Sequence, residues 1–108
     1  MTAQYVAGAE LADLEVTWTD SDGTIIDFSS GYTFSLKVGA AGQTASFTKT
    51  TTITGAATAP NLTVAWATSG ELNSLTAGGY TLQITATRTS DSKTRIMQGR
   101  LDVLAAVL

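Results

Sequence analysis

The stretch that decides the fold is Leu75-Thr76-Ala77-Gly78-Gly79-Tyr80-Thr81-Leu82-Gln83-Ile84-Thr85-Ala86-Thr87-Arg88. It opens on a corner, with Gly78 and Gly79 side by side, and continues from Tyr80 in strict alternation. Tyr80, Leu82, Ile84 and Ala86 fall on one side of an extended chain, and Thr81, Gln83, Thr85 and Thr87 on the other. That is the period of a half-buried strand.

Upstream, the same alternation recurs in Leu14, Val16 and Trp18, and again in Tyr32, Phe34, Leu36 and Val38. Between these two runs, Asp20-Ser21-Asp22-Gly23 is a turn whose Gly supplies the positive φ of a tight hairpin, and Ser29-Ser30-Gly31 is a second turn. Asp20, Asp22 and Asp27 have the look of half a calcium loop. Such a loop needs further oxygen ligands and a bidentate Glu near its end; Thr24, Ile25 and Ile26 stand there instead, so the turn reading prevails. Residues Met1 to Ala12 read as a short first edge strand or a leading arm.

Past a flexible Gly39 to Gly42 connection, Gln43 to Lys49 is a weaker, polar strand suited to an exposed edge. Thr50 to Pro60 is a short edge strand and a loop; Pro60 cannot donate to a ladder and belongs at a strand start or edge. Asn61 to Ala67, carrying Leu62, Val64 and Trp66, is the strand before the corner, and Leu72 and Leu75 share one face of a helical turn within Thr68 to Thr76. After the corner strand, Thr89 to Lys93 turns the chain back. Thr94 to Leu104 is a final strand with Met97, Gly99, Leu101 and Val103 in one row, Gly99 marking a bulge.

The sum is about seven strands joined by turns roughly every 8 to 12 residues, with no long amphipathic helix, which predicts an all-β, two-layer antiparallel sandwich. The 108 residues make one domain, 1–108, long enough to bury a core without disulfide or metal. Trp18 and Trp66 continue apolar faces and belong to that core. In immunoglobulin-like sandwiches a Tyr near the start of the penultimate strand hydrogen-bonds back to the main chain a few residues upstream. Tyr80 stands at such a corner, with the carbonyls around Leu75 within reach.

The chain contains no Cys and no His. A thiol nucleophile, a His base and a Cys/His zinc site are therefore excluded. The nine acidic residues lie in turns or on polar strand faces without a pair singled out by spacing, and no Gly-rich phosphate loop opens a helix. The expectation is a protein that is not an enzyme and has no cofactor. A net charge of −3 without a basic stripe argues against nucleic acid, and no apolar run approaches a membrane span. Nor does the start of the chain carry the basic and apolar regions of a leader peptide, which weakens a reading as a secreted module cut from a larger protein. With 14% charged residues the surface is sparse in charge, as suits an exterior partly covered by neighbours. The apolar C-terminal Leu101 to Leu108 reads as the last strand running to the chain end, or as an interface tail.

Ala7 to Phe28, with Gly8-Ala9-Glu10, the strand to Trp18, the Asp22-Gly23 turn and Ile26-Asp27-Phe28, resembles the opening of the immunoglobulin-like domains in phage baseplate upper proteins and related small virion proteins. In that family the first step is Gly-Asp and the later segment is Ile-Asp-Leu, so Glu10 and Phe28 depart from the pattern. Ala77-Gly78-Gly79-Tyr80 is similar to the family's Ala-Gly-x-Tyr corner, and order and spacing agree over nearly the whole chain. The matching positions shape turns and core; no ligand-binding residue carries over. The resemblance implies a bacteriophage virion structural protein, in a capsid decoration, head fibre, tail or baseplate role, present in multiple copies and docked on other virion proteins through edge strands and termini. The competing expectation is a carbohydrate- or cell-surface-binding module on the same sandwich, using the Thr50 to Pro60 loop or the Thr89 to Lys93 hairpin, with Tyr5 the aromatic least committed to a core.

Overall fold

A computed structural model describes residues 2–6, 13–40, 47–66 and 75–104, the first of these as main chain only. Eight strands form within them: β1 (Thr2–Val6), β2 (Leu14–Val16), β3 (Tyr32–Gly39), β4 (Phe47–Lys49), β5 (Ile53–Gly55), β6 (Leu62–Val64), β7 (Gly78–Arg88) and β8 (Thr94–Leu104). No helix occurs among the described residues. The expected helical turn in Thr68 to Thr76 falls largely outside them, as do residues 41–46, residues 105–108 and the Tyr5 side chain.

The strands build two sheets, a larger one ordered β1-β8-β7-β3-β4 and a smaller one ordered β2-β6-β5. Their facing sides supply one core. Leu36 and Val38 of β3, Leu82, Ile84 and Ala86 of β7, and Leu101 and Val103 of β8 pack with Val16, Trp18, Leu62 and Val64 of the other layer. The alternation in the sequence causes this directly, since a strand whose every second residue is apolar buries one face and wets the other. Register keeps the apolar rows aligned: Leu36 lies opposite Ile84, which lies opposite Met97.

Four details differ from the sequence reading. There are eight described strands rather than about seven, because Thr2–Val6 is a true edge strand. That strand runs parallel to β8, so the larger sheet is antiparallel only over its other four strands. Gly78 and Gly79 are not a corner ahead of the strand; both are already in β7, opposite Val103 and Asp102, because the ladder with β8 extends that far. Gly99 marks no bulge, since it sits opposite Leu82 in an unbroken run of pairs from Gly78 to Thr87.

Lys49 departs from an exposed-edge reading in another way. Although β4 is an edge strand, Lys49 is buried, with its ammonium 5.6 Å from the centre of the Trp66 ring. Trp66 is half-buried and packs on Phe47 at the margin of the core, whereas Trp18 lies within it.

Candidate functional site

The corner is built from Tyr80 and Thr76. The Tyr80 hydroxyl donates to the Thr76 carbonyl at 2.7 Å and lies 3.1 Å from the Thr76 hydroxyl. The bond is exposed, so it pins a surface crossover and not a buried polar group. Gly78 takes φ of +152°, a region that side chains other than hydrogen avoid.

A second, buried fastening joins β6 to the β2 side of the sandwich. Asn61 is fully buried, and its Oδ1 accepts from Trp18 N at 2.7 Å, while Nδ2 donates to the carbonyls of Trp18 and Ile26, each at 2.8 Å. Both amide hydrogens are thereby used. Apolar periodicity carries no trace of this role; the only signal was an Asn placed directly after the single proline and before an apolar run.

The acidic turns close on themselves. Asp22 Oδ1 accepts from Thr24 N at 3.0 Å and Asp27 Oδ1 from Ser29 N at 2.9 Å. The Thr24 amide holds Asp22 below the ordinary carboxylate range, and the Ser29 hydroxyl does the same for Asp27. Gly23 takes φ of +87° and donates to Asp20 O at 2.9 Å, as the Asp-Gly turn requires. Among the described residues no group of three acidic side chains converges on a metal position.

Two depressions meet at Tyr32. One, of about 210 Å³, is lined by Tyr32, Arg88, Lys93, Thr94 and Arg95. Arg88 forks onto Asp91, with Nε to Oδ1 at 3.0 Å and Nη2 to Oδ2 at 2.7 Å, and this pairing lowers the Asp91 pKa. Arg95 Nη1 donates to Asp20 Oδ1 at 2.6 Å, tying the last hairpin to the first turn. The other depression is an open groove of about 530 Å³ lined by Tyr32, Thr33, Phe34, Ser35, Thr50, Ile53 and Thr87. Three of the six cations in the chain thus gather at one end of the sandwich against two carboxylates. The three cations already stand close together around the last hairpin in the sequence; what the sequence hides is the arrival of Asp20, 75 positions from Arg95.

A further surface feature is the outward side of β8, where Ile96 is 57% exposed and Leu104 43% exposed beside polar Thr and Gln residues. These surfaces present hydrogen-bonding groups, a small excess of positive charge and an apolar point contact. Such groups suit recognition of another molecule. A scan against models of protein families, a search of curated proteins and a search of solved structures each return no match.

Proposed function

We propose that this chain is a non-enzymatic, immunoglobulin-like structural module of a bacteriophage virion that acts by docking on other virion proteins in multiple copies. The observation that carries the fold half of this reading is the strand order. Lettered as in immunoglobulin domains, β2-β6-β5 corresponds to strands B, E and D, and β8-β7-β3-β4 to G, F, C and C′. Tyr80 supports it further: it lies near the start of the F-equivalent strand with its hydroxyl on an upstream carbonyl, and two residues later Leu82, 1% exposed, takes the place of the second Cys. The virion half rests on the resemblance of Ala7 to Phe28 and Ala77 to Ile84 to phage baseplate upper proteins, and on a sparsely charged surface that offers edge strands and Ile96 for contact.

Mass spectrometry of purified particles from the phage that encodes the chain tests this reading. Peptides of the chain are expected at multiple copies per particle, and the purified protein is expected to capture capsid, tail or baseplate proteins. Absence from particles together with a solitary monomer would refute it.

A second reading, a glycan-binding module, is favoured by one observation: Thr50, of the Thr50 to Pro60 loop, and Lys93, of the Thr89 to Lys93 hairpin, each line a depression beside Tyr32. Against it, none of the aromatic side chains described is fully exposed for stacking on a sugar. Saturable hits on a glycan array would favour it over docking.

A further inference from the structure

Among the described residues, strand β3 is covered on one side along its whole length and on the other along part of it. Within the same set, β7 pairs with every residue from Tyr32 to Gly39, whereas β4 pairs with Leu36, Lys37 and Val38. Thr89 N donates to Gly31 O at 2.9 Å. Because antiparallel pairs alternate between bonded and non-bonded, Thr33, Ser35 and Lys37 turn their main-chain groups toward β7. Tyr32, Phe34, Leu36 and Val38 turn theirs the opposite way. There, Leu36 meets Lys49 and Val38 meets Phe47, whereas Tyr32 and Phe34 meet no strand among the described residues.

The reason β4 stops short is local. Thr52 takes φ of +59°, a left-handed conformation that a β-branched residue seldom adopts. It is held there by Ala65, whose carbonyl accepts from the Thr52 hydroxyl and whose amide donates to Thr52 O at 2.9 Å. The chain is thereby drawn from the larger sheet to the smaller within three residues of Lys49. What it leaves behind is the groove along Tyr32 to Ser35.

From this we infer that the β3 edge at Tyr32 and Phe34, which no strand among the described residues pairs, receives an extended segment of a partner polypeptide, which continues the β4 ladder and ends in acidic residues beside Arg88, Lys93 and Arg95. Added strands gain affinity from main-chain bonds and selectivity from alternate side chains. No residue lining the groove is charged, so the segment is neutral there, with hydroxyl side chains beside Thr33 and Ser35 and apolar ones toward Ile53. A segment running in the direction of β4 passes Phe34 before Tyr32, so its C-terminal side arrives at the cavity where three cations face two carboxylates. An acidic ending matches that excess. The inference rests on the docking reading for the partner being a polypeptide; its test is separate from particle composition, so either can fail alone.

The experiment uses the full ¹⁵N-labelled chain and a synthetic peptide, acetyl-Thr-Val-Thr-Val-Thr-Asp-Glu-amide. Shifts centred on Tyr32 to Ser35 are expected, with amide exchange at Tyr32 and Phe34 slowed roughly tenfold at saturation. Replacing Asp-Glu by Lys-Lys, or changing the exposed Lys93→Glu, is expected to weaken binding about two- to fivefold, as for exposed charge pairs. A version N-methylated at alternate residues is expected not to protect those amides. No change at Tyr32 to Ser35 with about 1 mM peptide, equal protection by the N-methylated version, or equal affinity of the acidic and basic peptides would overturn the inference.

Discussion

Asn61 grips Trp18 by both of its main-chain polar groups, accepting from its N–H at 2.7 Å and donating to its carbonyl at 2.8 Å. The second Nδ2 hydrogen reaches Ile26 O at 2.8 Å, and the Asn61 carbonyl accepts from Ala56 N at 2.9 Å. One short residue therefore ties together two passing segments where β2 has ended, and it is the partner of Trp18 N and Ile26 O there, whereas Trp18 O also accepts from Ile26 N at 3.2 Å. Buried main-chain groups without partners are costly, which makes this residue central to stability.

Asn61→Ala strands two main-chain groups, Trp18 N and Ile26 O, while Trp18 O keeps its bond from Ile26 N at 3.2 Å, and is expected to destabilise the fold by about 2 to 4 kcal/mol. Asn61→Asp keeps the acceptor for Trp18 N but loses both donors, so at neutral pH it should be no milder. Chemical denaturation measures both; a loss below about 1 kcal/mol for the Ala variant, the size of one ordinary hydrogen bond, would contradict this role.

Gly55 allows β5 to lie against the main chain of Phe28. A Cβ at this position would stand 2.6 Å from Phe28 Cβ and would also overlap the Phe28 carbonyl. Phe28 N donates to the next residue, Ala56, at 3.1 Å, so neither segment can retreat freely. Gly55→Ala is expected to cost about 1 to 3 kcal/mol by overpacking, with β5 amides showing faster hydrogen exchange. A neutral midpoint would mean that the two segments separate without penalty.

Tyr80→Phe removes the donor to Thr76 O. Because this carbonyl is at the surface, water replaces the lost partner, and the expected loss is about 0.5 to 1.5 kcal/mol rather than that of an unsatisfied buried group. Urea titration with an unchanged slope would register it as a shifted midpoint. A midpoint identical to that of the parent would deny the corner its latch.

The acid limb of stability comes from turn carboxylates. Asp22, Asp27 and Asp91 are held below their ordinary value by the Thr24 amide, the Ser29 hydroxyl and the Arg88 guanidinium respectively. A lowered pKa means that the folded chain favours the charged form, so the stabilisation is present above the ordinary carboxylate value and is lost as pH falls through the lowered one. With no His or Cys in the chain, no side chain ordinarily titrates between about pH 5 and 8. Thermal midpoints should therefore be level across that range and fall below about pH 4, with a shallower fall in Asp91→Asn. A midpoint that changed steeply between pH 6 and 7 would contradict this assignment.

Strand content was legible wherever one face was apolar and the next polar. The inward row of Leu82, Ile84 and Ala86, the partner row of Leu36 and Val38, and the turns at Gly23 and Gly31 all follow from local pattern and from positive φ at Gly. Polar residues escaped that logic. Asn61 and Lys49 look like surface residues in one dimension, yet both are buried because segments distant in sequence supply an Asn with main-chain partners and a Lys with an aromatic face. The Arg95 to Asp20 pair spans 75 positions, a separation over which sequence carries no signal of contact.

For the stretch from Leu75 to Arg88, the sequence by itself determined that it holds a half-buried strand and that the domain is all-β, because side-chain alternation is a local consequence of the extended backbone. Only the tertiary structure decided that the strand begins at Gly78, that β1 lies parallel to β8, and that β4 abandons β3 at Lys49. Each of those depends on which strand edges find partners, and pairing is a relation between segments that no single segment encodes.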